Sequence, residues 1–227
     1  VAIAARNEND DLTQCLTAAL ASNYPKLEII VLDDCSQDHT PDIIKSFAHD
    51  GVRFVQGDEP SNTWLAKNAA YQKLLDESSG ELILYMGVDV RLHTDSLRSL
   101  VETFMAKRVA MMSILPKRTK SGLLAVFIQP MRYWWELALP RFIIKHEPVL
   151  STTWVAWRQS LLKMGGFKSV MRAITPEEHM STVLHKIGGY AFVRTNQDLN
   201  ITTHKNFHSQ WLTAVRTRYP QMHRRPE

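Results

Sequence analysis

Cysteine is scarce. Cys15 and Cys35 are the only two in 227 residues, and each falls within or beside an expected regular element, which fits a reduced compartment better than a disulfide framework. Both read as small buried hydrophobes. Also missing is any run near the ~18 apolar residues that a membrane span needs; Arg141 and Lys145 interrupt the most apolar late stretch, 131–144. The chain as given is not expected to cross a membrane. No internal repeat or low-complexity tract occurs. The sequence lacks an initial methionine, and Val1-Ala2-Ile3-Ala4 reads as the inside of a strand. It therefore reads as a domain with flanking segments beyond it, in which spanning helices are conceivable.

What is present is enough apolar residue, 44%, for one well-buried core with at most a subdomain. The net charge of +4 conceals a division. Residues 1–100 hold 8 Lys/Arg against 16 Asp/Glu, a net of −8, and residues 101–227 hold 19 against 7, a net of +12. Such asymmetry points to an anionic partner for the basic half, whether lipid head groups or a phosphorylated acceptor, with a solvated basic face as the plainer reading. No reading helix or stacking platform accompanies the charge, so nucleic acid is not an expected partner.

The first hundred residues alternate short β-branched or apolar runs with helical patterns, which predicts βαβ units and a mainly parallel sheet. Strands are expected at Val1–Ala5, Glu28–Leu32, Val52–Gln56 and Leu82–Met86. Helices are expected at Leu12–Ala21, Pro41–Ala48, Leu65–Glu77 and Asp95–Lys107. Thr40 before Pro41 reads as an N-cap, and Asp95 or Thr94 as another. Residues 1–107 thus form one half of a single domain. In 108–227 the rhythm changes: strands near 109–115, 153–157 and 190–194, and helices near 132–139, 158–164, 176–186 and 207–218.

In an open parallel sheet, ligands bind beyond the carboxyl ends of the strands. Four stretches there are polar: Ala5-Arg6-Asn7-Glu8, Asp33-Asp34-Cys35-Ser36-Gln37-Asp38, Gly87-Val88-Asp89, and the loop leading to Lys67-Asn68. A nucleotide asks for acceptors at its base and ribose, cations near its phosphates and a divalent metal held by carboxylate and phosphate oxygens. These strand ends supply all three. Asp38 is better read as a helix cap, as Asp is at such turns, and Asp34 as a binding residue. His204 and His208 have no partner at metal-ligand spacing and read as surface or core histidines.

Val-Ala-Ile-Ala-Ala-Arg-Asn-Glu at 1–8, Val-Leu-Asp-Asp-Cys-Ser-Gln-Asp-His-Thr at 31–40, Ala-Lys-Asn-Ala-Ala at 66–70 and Gly-Glu-Leu-Ile-Leu-Tyr-Met-Gly-Val-Asp at 80–89 resemble, in order and spacing, the family 2 glycosyltransferases of the GT-A fold. The likeness continues through Ala-Trp-Arg-Gln-Ser-Leu-Leu-Lys-Met-Gly-Gly-Phe at 156–167 and Thr-Pro-Glu-Glu-His at 175–179. It implies a Rossmann-like α/β sheet flanked by helices, with a smaller acceptor-side region. It implies nucleotide contacts at Ala5, Arg6, Glu8, Asp34, Lys67 and Asp89, a divalent metal (Mn2+ or Mg2+) at Asp89, and Glu178 as general base with Glu177 beside it.

Three departures from the family pattern stand out. Gly87 occupies the first position of the family's Asp-x-Asp metal motif, the usual Glu-Asp pair is Glu177-Glu178, and Val215-Arg216-Thr217-Arg218-Tyr219 stands where many membrane-bound members have Gln-x-x-Arg-Trp. Arg216 and Arg218 are expected near the diphosphate or acceptor. The resemblance implies inverting transfer of a sugar from a nucleotide-sugar, UDP-sugar first, to a glycan or lipid-linked hydroxyl at the cytoplasmic face of a membrane. Trp134, Trp135, Phe142 and Ile143 beside a basic tail with Arg224 and Arg225 would suit a membrane surface, although core packing explains most such aromatics. The alternative is a GT-A-like module that binds a nucleotide or recruits a partner without turnover.

Overall fold

Short runs of aliphatic residues set the sheet, and their alternation decides which helices cover each face. The computed structural model describes residues 1–59, 62–119 and 148–204. The expected helices at 132–139 and 207–218, with Arg216, Arg218, Arg224, Arg225 and the aromatics at 134, 135, 142 and 143, lie outside the described residues. Strands β1 (Ala2–Ala5), β2 (Ile29–Asp33), β3 (Val52–Gln56) and β4 (Leu82–Met86) pair in parallel in the order β3-β2-β1-β4. The sheet continues through β8 (Thr153–Trp157), antiparallel to both neighbours, to β6 (Met111–Leu115) and β9 (Tyr190–Arg194). Ala5, Asp33 and Gln56 share one rung, so three strands end level and their loops open on one edge.

Along each strand successive side chains point to opposite faces. Ile3, Val31 and Leu84 pack on one face with Leu12 and Leu16 of α1 (Asn9–Leu20), Ile44 of α2 (Thr40–Ser46) and Leu97, Leu100 and Phe104 of α4 (Ser96–Lys107). Ala2, Ile30, Leu32 and Tyr85 pack on the other. There they meet Tyr71, Leu74 and Leu75 of α3 (Ala66–Glu77), Leu161 of α5 (Arg158–Lys163), and Met180 and Leu184 of α6 (Pro176–Gly188). On this second face Tyr85 stacks on Trp154 at 4.3 Å between ring centroids, and Tyr71 and Phe167 close on them at 4.8 and 5.7 Å. Each such pair adds about 0.5–1.5 kcal/mol beyond area burial.

Two helix starts differ from expectation. Thr40 is the first residue of α2, with His39 in the cap position; its wholly buried hydroxyl instead accepts the backbone N–H of Glu8 at 2.8 Å. Asp38 Oδ1 accepts the Thr40 N–H at 2.9 Å, which bears out its structural reading. Asp95 does cap α4 by position, yet its carboxylate accepts from Asn23 Nδ2 at 2.9 Å. Three two-residue strands were not foreseen: β5 (Val90–Arg91), β7 (Lys117–Arg118) and β10 (Thr202–Thr203) form a second sheet in the order β5-β10-β7. That small sheet ties the segment beyond residue 200 to the exit of β4.

Candidate functional site

At the level rung, the first two loops brace one another. Asn7 N donates to Ser36 Oγ at 3.0 Å, and Gln37 N donates to Asn7 Oδ1 at 2.9 Å. Both loops turn through left-handed backbone, at Asn7 (φ 55) and Cys35 (φ 56), a conformation that disfavours residues other than glycine by about 1–2 kcal/mol. The adjacent aspartates divide the work. Asp33 is buried, its Oδ1 and Oδ2 accepting from Ser36 N (3.3 Å) and Gln56 Nε2 (3.1 Å). Asp34 is anchored through its own N–H to the Ala5 carbonyl at 2.8 Å, and its carboxylate faces Arg6, 3.6 Å away. Burial raises the Asp34 carboxyl above the usual aspartate range, with Asp33 adding to the shift and the Arg6 cation opposing it.

Ala5 contributes through its main chain, since its side chain is in the core. Cys15 is buried as expected, its thiol pushed up to about 12 chiefly by that burial. Cys35 is a correction: it is only partly buried and sits on the loop beside Asp34. The φ of this loop turns it away from the core that a strand continuation would have reached.

A cavity of about 330 Å³ opens beside Asp34, with Gly57, Asp58, Trp64 and Lys73 on its walls. A larger one, about 690 Å³, lies at the opposite end of the strands, among Val1, Glu28 and Leu82. The strand-end rule favours the smaller, which lies beyond the carboxyl end of β2.

Asp89 follows β4 in a tight turn, Val90 N donating to the Gly87 carbonyl at 3.0 Å. Its carboxylate Oδ2 accepts from the Thr203 hydroxyl at 2.8 Å, and its carbonyl from His204 N at 2.8 Å. The His204 ring meets the Thr119 hydroxyl at 2.7 Å through Nε2. Arg91, almost fully buried, clamps the turn by donating to the carbonyls of Val88 and Val90 and to both oxygens offered by Asp11. Sequence reasoning gave no site role to Thr203, Thr119 or Arg91, and read His204 as a surface or core histidine. Nothing in spacing signals a contact across 114 residues.

Glu177 and Glu178 open α6, where carboxylates also suit the helix dipole. Glu177 is buried, paired with Lys67 Nζ, and its Oε2 has no hydrogen-bond partner. Glu178 is half-buried, and its Oε2 accepts from the Thr175 hydroxyl at 3.2 Å. Lys67, expected near the nucleotide, is engaged by Glu177 and lies 5.2 Å from the centre of the Tyr71 ring. Burial first, then the negative charges of Glu177 and Asp89, push the Tyr71 hydroxyl well above the ordinary tyrosine range.

Among the described residues no group of three His, Cys, Asp or Glu side chains gathers to hold a metal by itself. One carboxylate is nevertheless enough for Mg2+ or Mn2+ when phosphate oxygens and water complete the shell. Asp89, with one oxygen committed to Thr203, fits an ion shared in that way.

Glycosyl transferase family 2, as a sequence family, matches residues 1–167. The chain belongs to that family. Among curated relatives, Glycosyltransferase AglE of Haloferax volcanii is 31% identical over 107 residues, 45% of this chain and 34% of its own. Succinoglycan biosynthesis protein ExoO of Rhizobium meliloti is 29% identical over 100 residues, 44% and 28% respectively. The chain thus spans about a third of the length of these relatives. A similar fold is seen in mannosyltransferase PcManGT from Pyrobaculum calidifontis, solved with GDP-Man and Mn2+ (TM-score 0.70, 19% identity, covering 100% of this chain and 64% of that one). S. aureus TarS with UDP-GlcNAc is a second such structure (TM-score 0.64, 17% identity, 92% and 59%).

Proposed function

We propose that this family 2 domain transfers a sugar, with inversion, from a nucleotide-sugar to an acceptor hydroxyl on a glycan or lipid-linked acceptor. The observation that carries the reading is Asp34 with Arg6 beyond the end of β2 and Asp89 with Thr203 beyond the end of β4, together with the Glu177-Glu178 pair in the first turn of α6. The loops of β1 and β2 hold the nucleotide, Arg6 and Asp34 foremost, and Glu8 stands at the start of α1. UDP is the first candidate, by the TarS complex; GDP is the second, by the PcManGT complex.

Glu178 is the general base. It is the more exposed of the pair and accepts the proton of the attacking hydroxyl, a role worth about 10²–10⁴ in rate. Glu177, held by Lys67, keeps that turn of α6 in place. Asp89 would hold a divalent cation, which would supply positive charge against the departing diphosphate. Thr203 orients the Asp89 carboxylate, as hydrogen bonds to a metal's carboxylate do. Arg216 and Arg218 are assigned to the diphosphate or acceptor.

Calorimetry with UDP and Mn2+, followed by release of UDP from UDP-sugars, tests the reading. Binding that requires both Mn2+ and Asp89, with release abolished in Glu178→Gln, supports it; nucleotide binding with no turnover supports the recruiting module instead. No helix among the described residues is long and apolar enough to cross a membrane. We place the domain at the cytoplasmic face of one through its basic half, and co-sedimentation with vesicles that does not depend on anionic lipid would count against this.

A further inference from the structure

The helix bearing Glu177 and Glu178 begins at Pro176, and its N-cap residue, Thr175, makes no side-chain cap to the backbone. The segment before it, residues 166–173, is bound to α3 and to residues 62–65 that lead into it. Phe167 N donates to Gln72 Oε1 at 2.8 Å. Leu65 N donates to the Met171 carbonyl at 2.9 Å. The Arg172 guanidinium reaches back to the carbonyls of Asn62 (3.1 Å) and Thr63 (3.3 Å). Gly166 permits the approach: its φ is +62°, and a Cβ there would stand 2.4 Å from Gln72 Oε1.

At the centre lies Asn68, wholly buried. Its side-chain Nδ2 donates to the carbonyls of Val170 (2.8 Å), Met171 (3.1 Å) and Ala173 (2.9 Å). Two amide hydrogens serve three acceptors, so one is shared. Among the described residues Asn68 Oδ1 is buried with no partner; the reverse orientation would set an oxygen against three carbonyls, so the neighbours fix which end faces them. A buried acceptor left unmatched in order to hold three main-chain carbonyls is a local sacrifice with a purpose. Only Ile174 and Thr175 separate the last of those carbonyls from α6, and the adjacent residue on α3, Lys67, holds Glu177.

We propose that Asn68 is a positioning residue for the base-bearing helix: by gripping Val170, Met171 and Ala173 it sets where Glu177 and Glu178 stand relative to Asp89. The proposal rests on the glycosyltransferase reading of the site. A misplacement of about 1 Å at a reacting group can reduce rate about 10²-fold, and that is the effect assigned to losing this grip.

The test uses the full-length protein, with amide hydrogen exchange, UDP calorimetry in Mn2+, and release of UDP from UDP-glucose and UDP-N-acetylglucosamine. Asn68→Ala is expected to speed exchange at 174–182 by about tenfold or more and to lower kcat about 10²-fold, with KM and the UDP Kd within about twofold. Asn68→Asp, which keeps the volume but has no N–H to donate, is expected to behave like Asn68→Ala. Arg172→Ala, on the exposed side of the same grip, guards against simple misfolding: an unchanged Tm with faster exchange confined to 171–180 supports the proposal. Exchange unchanged at 174–182, or accelerated equally across the whole sheet, overturns it, as does turnover of Asn68→Ala within about threefold of the parent. A parent protein that binds neither UDP nor GDP and turns over no nucleotide-sugar overturns the reading of the site itself, and the proposal with it.

Discussion

The two carboxylate regions of this domain are held in different ways. At the ends of β1 and β2, Asp33 and Asp34 are fixed by neighbouring loops that pair across adjacent strands, 23 to 32 residues apart at most of their bonds. At the end of β4 and the start of α6, Asp89 and Glu177 are fixed by partners 114 and 110 residues away. The first region is thus built when its βαβ unit forms, the second only when the domain closes. In the proposed reading, the nucleotide would meet the locally braced loops, and the chemistry would depend on tertiary packing.

The sharpest way to separate the regions is within α6. Glu178→Gln is expected to lower turnover about 10²–10⁴-fold, the worth of a general base, while UDP affinity stays within about twofold. Glu177→Gln is expected to do the reverse: modest kinetic loss, but a lower Tm. Breaking a fully buried ion pair costs about 3–5 kcal/mol; Lys67, 38% exposed at its side chain, recovers part of its hydration, so about 1–3 kcal/mol is expected here. If Glu177→Gln abolishes turnover and Glu178→Gln does not, the roles are exchanged. Next in size, Asp89→Ala is expected to lower UDP release about 10²–10³-fold and to remove the Mn2+ dependence of nucleotide binding, read by calorimetry.

On the platform side, Asp34→Asn is expected to weaken UDP binding about 10–100-fold, the loss of one charged hydrogen bond. Its stability effect has the opposite sign. Burial raises the folded-state carboxyl above its unfolded value of 3.8, so the native state holds the Asp34 proton more tightly. The Asp34 contribution to stability is then most favourable below the unfolded value and is lost as pH rises through the raised one. Asp34→Asn should therefore be no less stable than the parent at pH 7, an advantage that vanishes towards pH 4, as thermal melts across that range would show. A binding group held at some expense to the unliganded fold is the usual trade between stability and function.

The platform was legible in the sequence and the closure was not. Strands β3, β4, β8 and β9 have the boundaries that alternation predicts, because a strand's period is local. The Asp34 turn and the Asp38 cap follow from turn chemistry. Thr203, Thr119 and Arg91 were invisible because two-residue strands have no period to detect, and because their partners are distant in sequence. Asn68 was quoted as part of a motif, but its grip on three carbonyls depends on backbone atoms that any sequence supplies. Cys35 was misread because the rule that cysteine is buried gives way on a left-handed turn.

Gly87 gives the smallest expected effect and the finest distinction. The family's motif has an aspartate there, so restoring it would be the natural repair. The geometry argues otherwise. A Cβ at 87 would stand 2.6 Å from Asp89 Oδ1, and the backbone cannot yield, because Gly87 N donates to the Thr152 carbonyl at 2.9 Å and Gly87 O accepts from Val90 N. The Asp89 carboxylate would have to rotate, and its other oxygen would leave the Thr203 hydroxyl. A lost hydrogen bond of about 1 kcal/mol corresponds to about fivefold in affinity. Gly87→Asp is therefore expected to bind UDP with Mn2+ a few-fold more weakly than the parent. Tighter binding would mean instead that the second carboxylate is a missing part of the site, and would move the chain toward the non-catalytic module. Weaker binding would mean that Gly87 and Thr203 together set the single carboxylate on which the closed side of the site depends.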